Sequence, residues 1–214
     1  MKKKSKPQIL LAKIEDFLKT VHPPVEEFEN NIRSTPFQVL ISVLISSRTK
    51  DQVTLIASRK LFKAADTPEK MIQLGEKKIS ELIYPVGFFR QKAKNIIRVC
   101  EKLIQTGAVP DHFEDLVSLP GVGRKTANLV LAIAYNRPSV AVDTHVFRIS
   151  KRLGWTRGKI PFEVESELKT IFSPPYWNKL NKALVGLGQT VCKPVKPECQ
   201  ICPVNSECPS SRVK

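Results

Sequence analysis

Two side chains and one group of thiols in this 214-residue chain have the types and spacing that covalent chemistry needs. Lys125 directly follows the run Leu119-Pro120-Gly121-Val122-Gly123-Arg124. That run sits within 113–135, between a short helical pattern ending near Ser118 and a longer apolar one beginning near Arg124. Glycines let a backbone reach φ > 0 and approach a ligand closely. The second helix offers unpaired N–H groups and the positive end of its dipole to an anion. On this reading Gly121, Val122 and Gly123 form a turn that grips phosphate, holding a backbone rather than a base sequence. An ordinary packing corner is the alternative. Lys125 falls in the first turn of the second helix, where the dipole disfavours a cation. The same field favours the neutral amine, a competent Schiff-base nucleophile. A solvated lysine touching phosphate fits the position equally well.

Asp143, in Val140-Ala141-Val142-Asp143-Thr144-His145, opens another helix. Taken alone, it reads as an N-cap. The thiols are four of the five cysteines, Cys192, Cys199, Cys202 and Cys208, spaced C-x6-C-x2-C-x5-C. Four thiolates in so short a loop can surround one centre, either Zn²⁺ or a [4Fe–4S] cluster. Zinc sites more often use two Cys-x-x-Cys knuckles, and here only Cys199 and Cys202 have that spacing. Between the first two cysteines, Lys193 and Lys196 are separated by prolines, which stiffens a loop able to contact phosphates.

The elements that must position these groups read as helices nearly throughout. Leu10, Ile14, Phe17, Leu18 and Val21 make one apolar face, and Ala93, Ile96, Ile97, Cys100, Leu103 and Ile104 another. Cys100 is therefore expected in the core. Phe37 to Ile45 is almost wholly apolar and reads as a buried helix, with a buried strand competing. Thr67-Pro68 looks like an N-cap with proline in the first turn. Gly75, Gly87, Gly107 and Gly158 fall where turns or C-caps belong. Further helices are expected at about 51–64, 76–84, 113–118, 124–135, 144–153, 161–172 and 176–188. Trp155 and Trp177 read as core, and His145 as a structural hydrogen-bonder. The expectation is an all-α protein of about ten short helices with a cysteine-rich tail.

Lys plus Arg number 35 and Asp plus Glu 20, a formal charge of +15. That surplus points to a polyanionic partner, nucleic acid ahead of a membrane surface. No apolar run approaches the ~20 residues of a membrane span. The N-terminus, Met1-Lys2-Lys3-Lys4-Ser5-Lys6-Pro7, is basic like a signal n-region, but Lys13, Glu15, Asp16 and Lys19 interrupt the stretch after it, so it lacks a signal h-region. The reading is an intracellular protein whose cysteines are reduced or bind metal.

Leu-Pro-Gly-Val-Gly-Arg-Lys-Thr-Ala, followed by Val-Asp-Thr-His eighteen residues after the lysine, resembles the endonuclease III family of DNA glycosylases, in the helix–hairpin–helix superfamily. The resemblance includes Pro36-Phe37 through Ser46-Ser47 to Asp51, and Val86 through Ile97, and it continues to the cysteine tail. It implies two helical domains, 29–137 with the hairpin at 113–135, and 1–28 plus 138–214 with the cluster loop at 192–208. A damaged base is flipped from double-stranded DNA into the cleft between them. Lys125 attacks the sugar C1′ and Asp143 assists, giving glycosylase and AP lyase activity on oxidised or ring-saturated pyrimidines and abasic sites. The four cysteines hold a [4Fe–4S] cluster. Arg48 stands where the family often has a glutamine that fills the gap left by flipping, and Phe88 where an apolar wedge is expected. Arginine donates five hydrogen bonds and accepts none, so contacts with the opposite base should differ. The expected protein is a monomer with no membrane partner. Two rivals remain: a mismatch-specific glycosylase deficient in lyase activity, and a non-catalytic helix–hairpin–helix module with structural zinc.

Overall fold

The computed structural model of the protein describes residues 6–32 and 35–213; the basic Met1–Ser5 segment lies outside the described residues. Among the described residues there are eleven α-helices, one short 3-10 turn and no strand. The chain divides into two compact units, Phe28–Arg137 and Met1–Glu27 with Pro138–Lys214.

In the continuous unit, the apolar run folds as helix α3 (Pro36–Ser46), capped by Thr35, whose side chain accepts from Gln38 N. Every residue from Val39 to Ile45 is buried, so this helix is the unit's axis and not a strand. On it pack α4 (Asp51–Ala64), α6 (Phe89–Thr106) and α8 (Arg124–Ala134); α5 (Pro68–Ile83) packs on α4 and α6, and α7 (Phe113–Val117) on α8. The Thr67 hydroxyl caps α5 by accepting from Lys70 N at 3.3 Å. Gly75 breaks that helix at φ 78°, the turn its position predicts. Cys100 is fully buried on α6, and burial pushes its thiol up to about 12, which keeps it a protonated, inert packing group. Ile104, expected on the same face, is exposed instead, while its neighbour Leu103 is buried.

The discontinuous unit joins both ends of the chain. Helix α1 (Pro7–Val21) packs on α11 (Pro174–Thr190), which also supports α9 (Thr144–Arg152); α10 (Pro161–Ile171) packs on α9. Leu10, Leu11, Ile14 and Leu18 bury the inner face of α1, while Val21, at its last position, stays exposed. Gln8 Nε2 donates to Ile171 O at 3.2 Å, and Lys13 pairs with Glu207 at 2.5 Å. Trp155 is buried edge-on against Phe172, and Trp177 is half-buried, its Nε1 donating to Phe172 O at 2.7 Å. Between α1 and α3 the chain forms a helix that the periodicity did not predict, α2 (Pro24–Ile32). Its buried residues Val25, Phe28 and Ile32 do follow the i, i+3, i+7 spacing, and it starts on Pro24 with Glu26 and Glu27 in its favourable first turn.

Candidate functional site

The hairpin is built from stacked turns between α7 and α8. Leu119 N donates to Leu116 O and Val122 N to Leu119 O, both at 3.1 Å, and Leu116, Leu119 and Val122 are buried. The Arg124 guanidinium lies 4.6 Å over the Phe113 ring, joining the two helices. The glycines divide their work in a way the sequence did not indicate. Gly121 is left-handed at φ 78°, and a Cβ there would collide with the Asn95 side chain. Gly123 is extended at φ −96° and is the N-cap of α8, and a Cβ there would meet nothing within 4 Å. Internal packing therefore demands glycine at 121 only; at 123 it leaves the surface open to close approach. Val122 turns inward and its N–H is already used, so it anchors the turn. Lys125 is half-buried in the first turn of α8, whose glycine N-cap brings no side chain to the helix end.

Asp143 is the N-cap of α9. Its Oδ1 accepts from His145 N at 2.9 Å and from Val146 N at 2.8 Å. Oδ2 takes neither bond. Lys125 belongs to the continuous unit and Asp143 to the discontinuous one. Beyond Asp143, the Arg148 guanidinium meets His145 Nδ1 at 3.1 Å and donates to Cys192 O at 2.9 Å, so His145 is part of a hydrogen-bonded support.

Arg48 and Phe88 stand together. Both are exposed, both have left-handed backbones (φ 53° and 58°), and the Arg48 guanidinium lies 5.4 Å over the Phe88 ring. Their loops touch at Gly87, where a Cβ would come within 2.9 Å of Arg48 O, and where N–H donates to Thr49 Oγ1 at 3.2 Å. Beneath them is Lys92, buried on α6. Its Nζ donates to Ile45 O at 2.7 Å, Ser47 O at 2.5 Å and Thr49 Oγ1 at 3.3 Å. Burial pulls this amine down from its ordinary 10.5 to about 8. Between these values the unfolded chain holds the proton and the native one releases it, so this group's effect on stability improves as pH rises. Urea unfolding of wild type and Lys92→Met from pH 7.5 to 10 should show the wild type gaining on the variant. A constant gap would mean that Lys92 does not titrate in this range.

The four tail thiols line one cavity together with Ile149, Leu187, Val191 and Val204. All are free thiols. Cys199 starts the 3-10 turn Cys199–Ile201, Cys202 N donates to Cys199 O at 3.2 Å, and Cys208 N to Val204 O at 3.0 Å. Burial pushes the Cys202 thiol up to about 11 and the Cys208 thiol upward too, and the neighbouring sulfurs add to both shifts. Among the described residues, no three His, Cys, Asp or Glu side chains converge on a single ion. Arg152 fixes the loop: Nη1 donates to Cys192 Sγ at 3.2 Å and Lys193 O at 2.8 Å, and Nη2 to Pro194 O at 2.7 Å. Lys193 pairs with Glu198 across the loop, and Lys196 is exposed.

Sequence reasoning passed over Lys92, Arg148 and Arg152. A signal existed only for Lys92, a cation four residues before Ile96 on an otherwise apolar stripe. The two arginines bond to carbonyls some forty residues away, which no local pattern records.

Comparison with known proteins gives a consistent result. The sequence profile of the HhH-GPD superfamily base excision DNA repair proteins matches residues 41–174. Endonuclease III of Thermotoga maritima is 42% identical over 187 residues, 86% of this chain and 88% of that protein. Endonuclease III of Rickettsia felis is 40% identical over 203 residues, 94% of each chain. The solved structure of a trapped Endonuclease III–DNA covalent intermediate, an estranged-adenine complex, superposes with a TM-score of 0.88 at 33% identity, over 99% of this chain and 98% of that one. No helix among the described residues is long and apolar enough to cross a membrane.

Proposed function

The chain belongs to the endonuclease III family, within the HhH-GPD superfamily of base excision DNA repair proteins, and on that premise we propose that Lys125 and Asp143 are its catalytic pair. It is a DNA glycosylase of base-excision repair. Its partner is double-stranded DNA carrying damaged bases or abasic sites, met inside the cell, and oxidised or ring-saturated pyrimidines are its substrates. The helical bundle 29–137 carries the hairpin, and 1–28 with 138–214 carries Asp143 and the thiols.

The reaction follows from the two groups. The damaged nucleotide is rotated out of the stack, at the cost of a few kcal/mol of unstacking. Neutral Lys125 Nζ attacks C1′ as the bond to the base breaks. Asp143, through Oδ2, stabilises the positive charge developing on the sugar and takes the proton that the amine sheds. The base departs as an anion and takes a proton from water, Asp143 passes its proton to O4′ as the ring opens, and the sugar remains on Lys125 as a protonated imine. Loss of the acidified C2′ proton expels the 3′ phosphate by β-elimination, and water then frees the lysine. Gly121 and Gly123 bring the backbone to a phosphate, with Val122 as their anchor. Arg48 and Phe88 fill the gap left in the duplex, and Lys193 and Lys196 contact further phosphates. The observation that carries the lyase reading is Lys125 itself, a half-buried primary amine in the first turn of a helix with an open end.

Cys192, Cys199, Cys202 and Cys208 would hold a [4Fe–4S] cluster. Four free thiols lining one cavity supply the donor set of that group. When bound, the cluster cross-links the tail and so stabilises the fold around it. Because ligation requires thiolates, and Cys202 holds its proton tightly, assembly releases protons and should weaken as pH falls. The purified protein is expected to be brown and to contain iron, with chelation lowering its melting temperature. Colourless, zinc-loaded protein that is fully active would overturn the assignment.

The test of the reaction is borohydride reduction during turnover on abasic duplex DNA, which converts the imine to a stable covalent adduct. Base release without an adduct would favour a lyase-deficient glycosylase; binding with neither would favour a non-catalytic module.

A further inference from the structure

We propose that Lys92 is the positioning residue for base extrusion: from beneath the surface it locks the Arg48 and Phe88 tips into one rigid unit for insertion into the duplex. This rests on the function proposed above, which does not itself assign Lys92 a part.

The geometry carries the inference. Phe88 is the N-cap of α6, and Lys92 N donates to Phe88 O at 3.0 Å, so the backbone of Lys92 holds the base of one tip. Its side chain reaches the other tip. The ammonium has three protons, and it meets three oxygens, two of them carbonyls at residues 45 and 47, where α3 ends and the Arg48 loop begins. A cation is favoured at such a helix C-terminus. Thr49 closes the circuit, since its hydroxyl donates to Ser47 O at 3.3 Å while accepting from Gly87 N and Lys92 Nζ. All the bonding capacity of that hydroxyl is used.

A purely structural role does not account for the choice of lysine. Burying an ammonium is among the least favourable ways to satisfy a pair of carbonyls. What it achieves is to fix two exposed tips, both in left-handed backbone, against each other. Left-handed non-glycine residues persist only where surrounding structure over-determines them. A pair of side chains that must enter a base stack gains from being ordered beforehand, because ordering then need not be supplied at insertion. At neutral pH the amine, at about 8, remains mostly charged and donates all three bonds.

The test uses full-length, iron-loaded protein and two variants, Lys92→Met and Thr49→Val, with melting temperatures measured for each. Thr49→Val cuts the tie between the loops without emptying the buried site, so it decides the matter if Lys92→Met fails to fold. The first probe is a duplex with a tetrahydrofuran abasic analogue opposite 2-aminopurine, whose fluorescence rises when inserted side chains unstack it. The second is borohydride trapping on a single-stranded abasic oligonucleotide, which has no opposite strand to displace. Each variant should need about tenfold more protein for half-maximal brightening of the duplex. Each should trap on the single strand within about twofold of wild type, since the amine of Lys125 is untouched. Unchanged brightening, or an equal loss on both probes, would overturn the positioning role. Failure of wild type to trap on either DNA would instead count against the proposed lyase chemistry, while the brightening comparison still decides Lys92.

Discussion

Lys125→Ala is expected to abolish the borohydride-trapped adduct on abasic duplex DNA while leaving binding to that duplex largely intact. The loss should be complete within detection if, as proposed, Lys125 supplies the imine nitrogen. Misfolding does not explain such a loss on physical grounds. Alanine is the best helix former, and removing a cation from a helix N-terminus is worth ~0.3–1 kcal/mol in the stabilising direction. The variant should therefore melt at or above the wild-type temperature. Lys125→Arg sharpens the test. Arginine keeps a positive charge for phosphate but stays protonated, so it cannot act as a nucleophile. If Lys125 only touches phosphate, arginine restores activity; if it attacks the sugar, arginine binds DNA and gives no adduct. An adduct from either variant would remove Lys125 from the chemistry.

Asp143→Asn is the second large effect. Asp143 Oδ1 holds two N–H groups at the start of α9. An aspartate-to-alanine change would lose about 1 kcal/mol of capping along with any chemistry, and would separate nothing. Asparagine ranks with aspartate as an N-cap, so its amide oxygen keeps both bonds and stability should barely change. What disappears is the negative charge. Single-turnover base release should then fall by about 10²–10⁴-fold, the range for a positioned acid–base group. A variant that melts normally and keeps its rate would make Asp143 a cap and nothing more.

The structure shows Asp143 as a cap through Oδ1, and the proposed chemistry would use the oxygen that takes neither cap bond. Much of the fold was legible for a simple reason: the signals were local. Thr67-Pro68 starts a helix because a hydroxyl three residues from an amide can cap it, and 37–45 is buried because nearly every side chain there is apolar. The hairpin was legible as a turn, but Gly-x-Gly does not say which glycine takes positive φ. That depends on Asn95, which lies on another helix. Lys92 and Arg152 stayed hidden for the same reason. Their meaning lies in carbonyls at 45–47 and 193–194, brought near by tertiary folding. The family resemblance supplied roles for Lys125, Asp143 and the cysteines that residue types alone left open, but it passed over the residues that hold those groups in place.

The unit built from both chain ends bears on how this protein is made. Phe28–Arg137 is one uninterrupted stretch and can close while synthesis continues. Helix α1 is synthesised well before its partner α11, roughly 150 residues earlier, a delay on the order of 10 s at ordinary elongation rates. Throughout that interval Leu10, Leu11, Ile14 and Leu18 present an uncovered apolar stripe to solvent. Nascent chains stalled before residue 174 should therefore recruit holdase chaperones through α1, and should shed them once α11 has been translated.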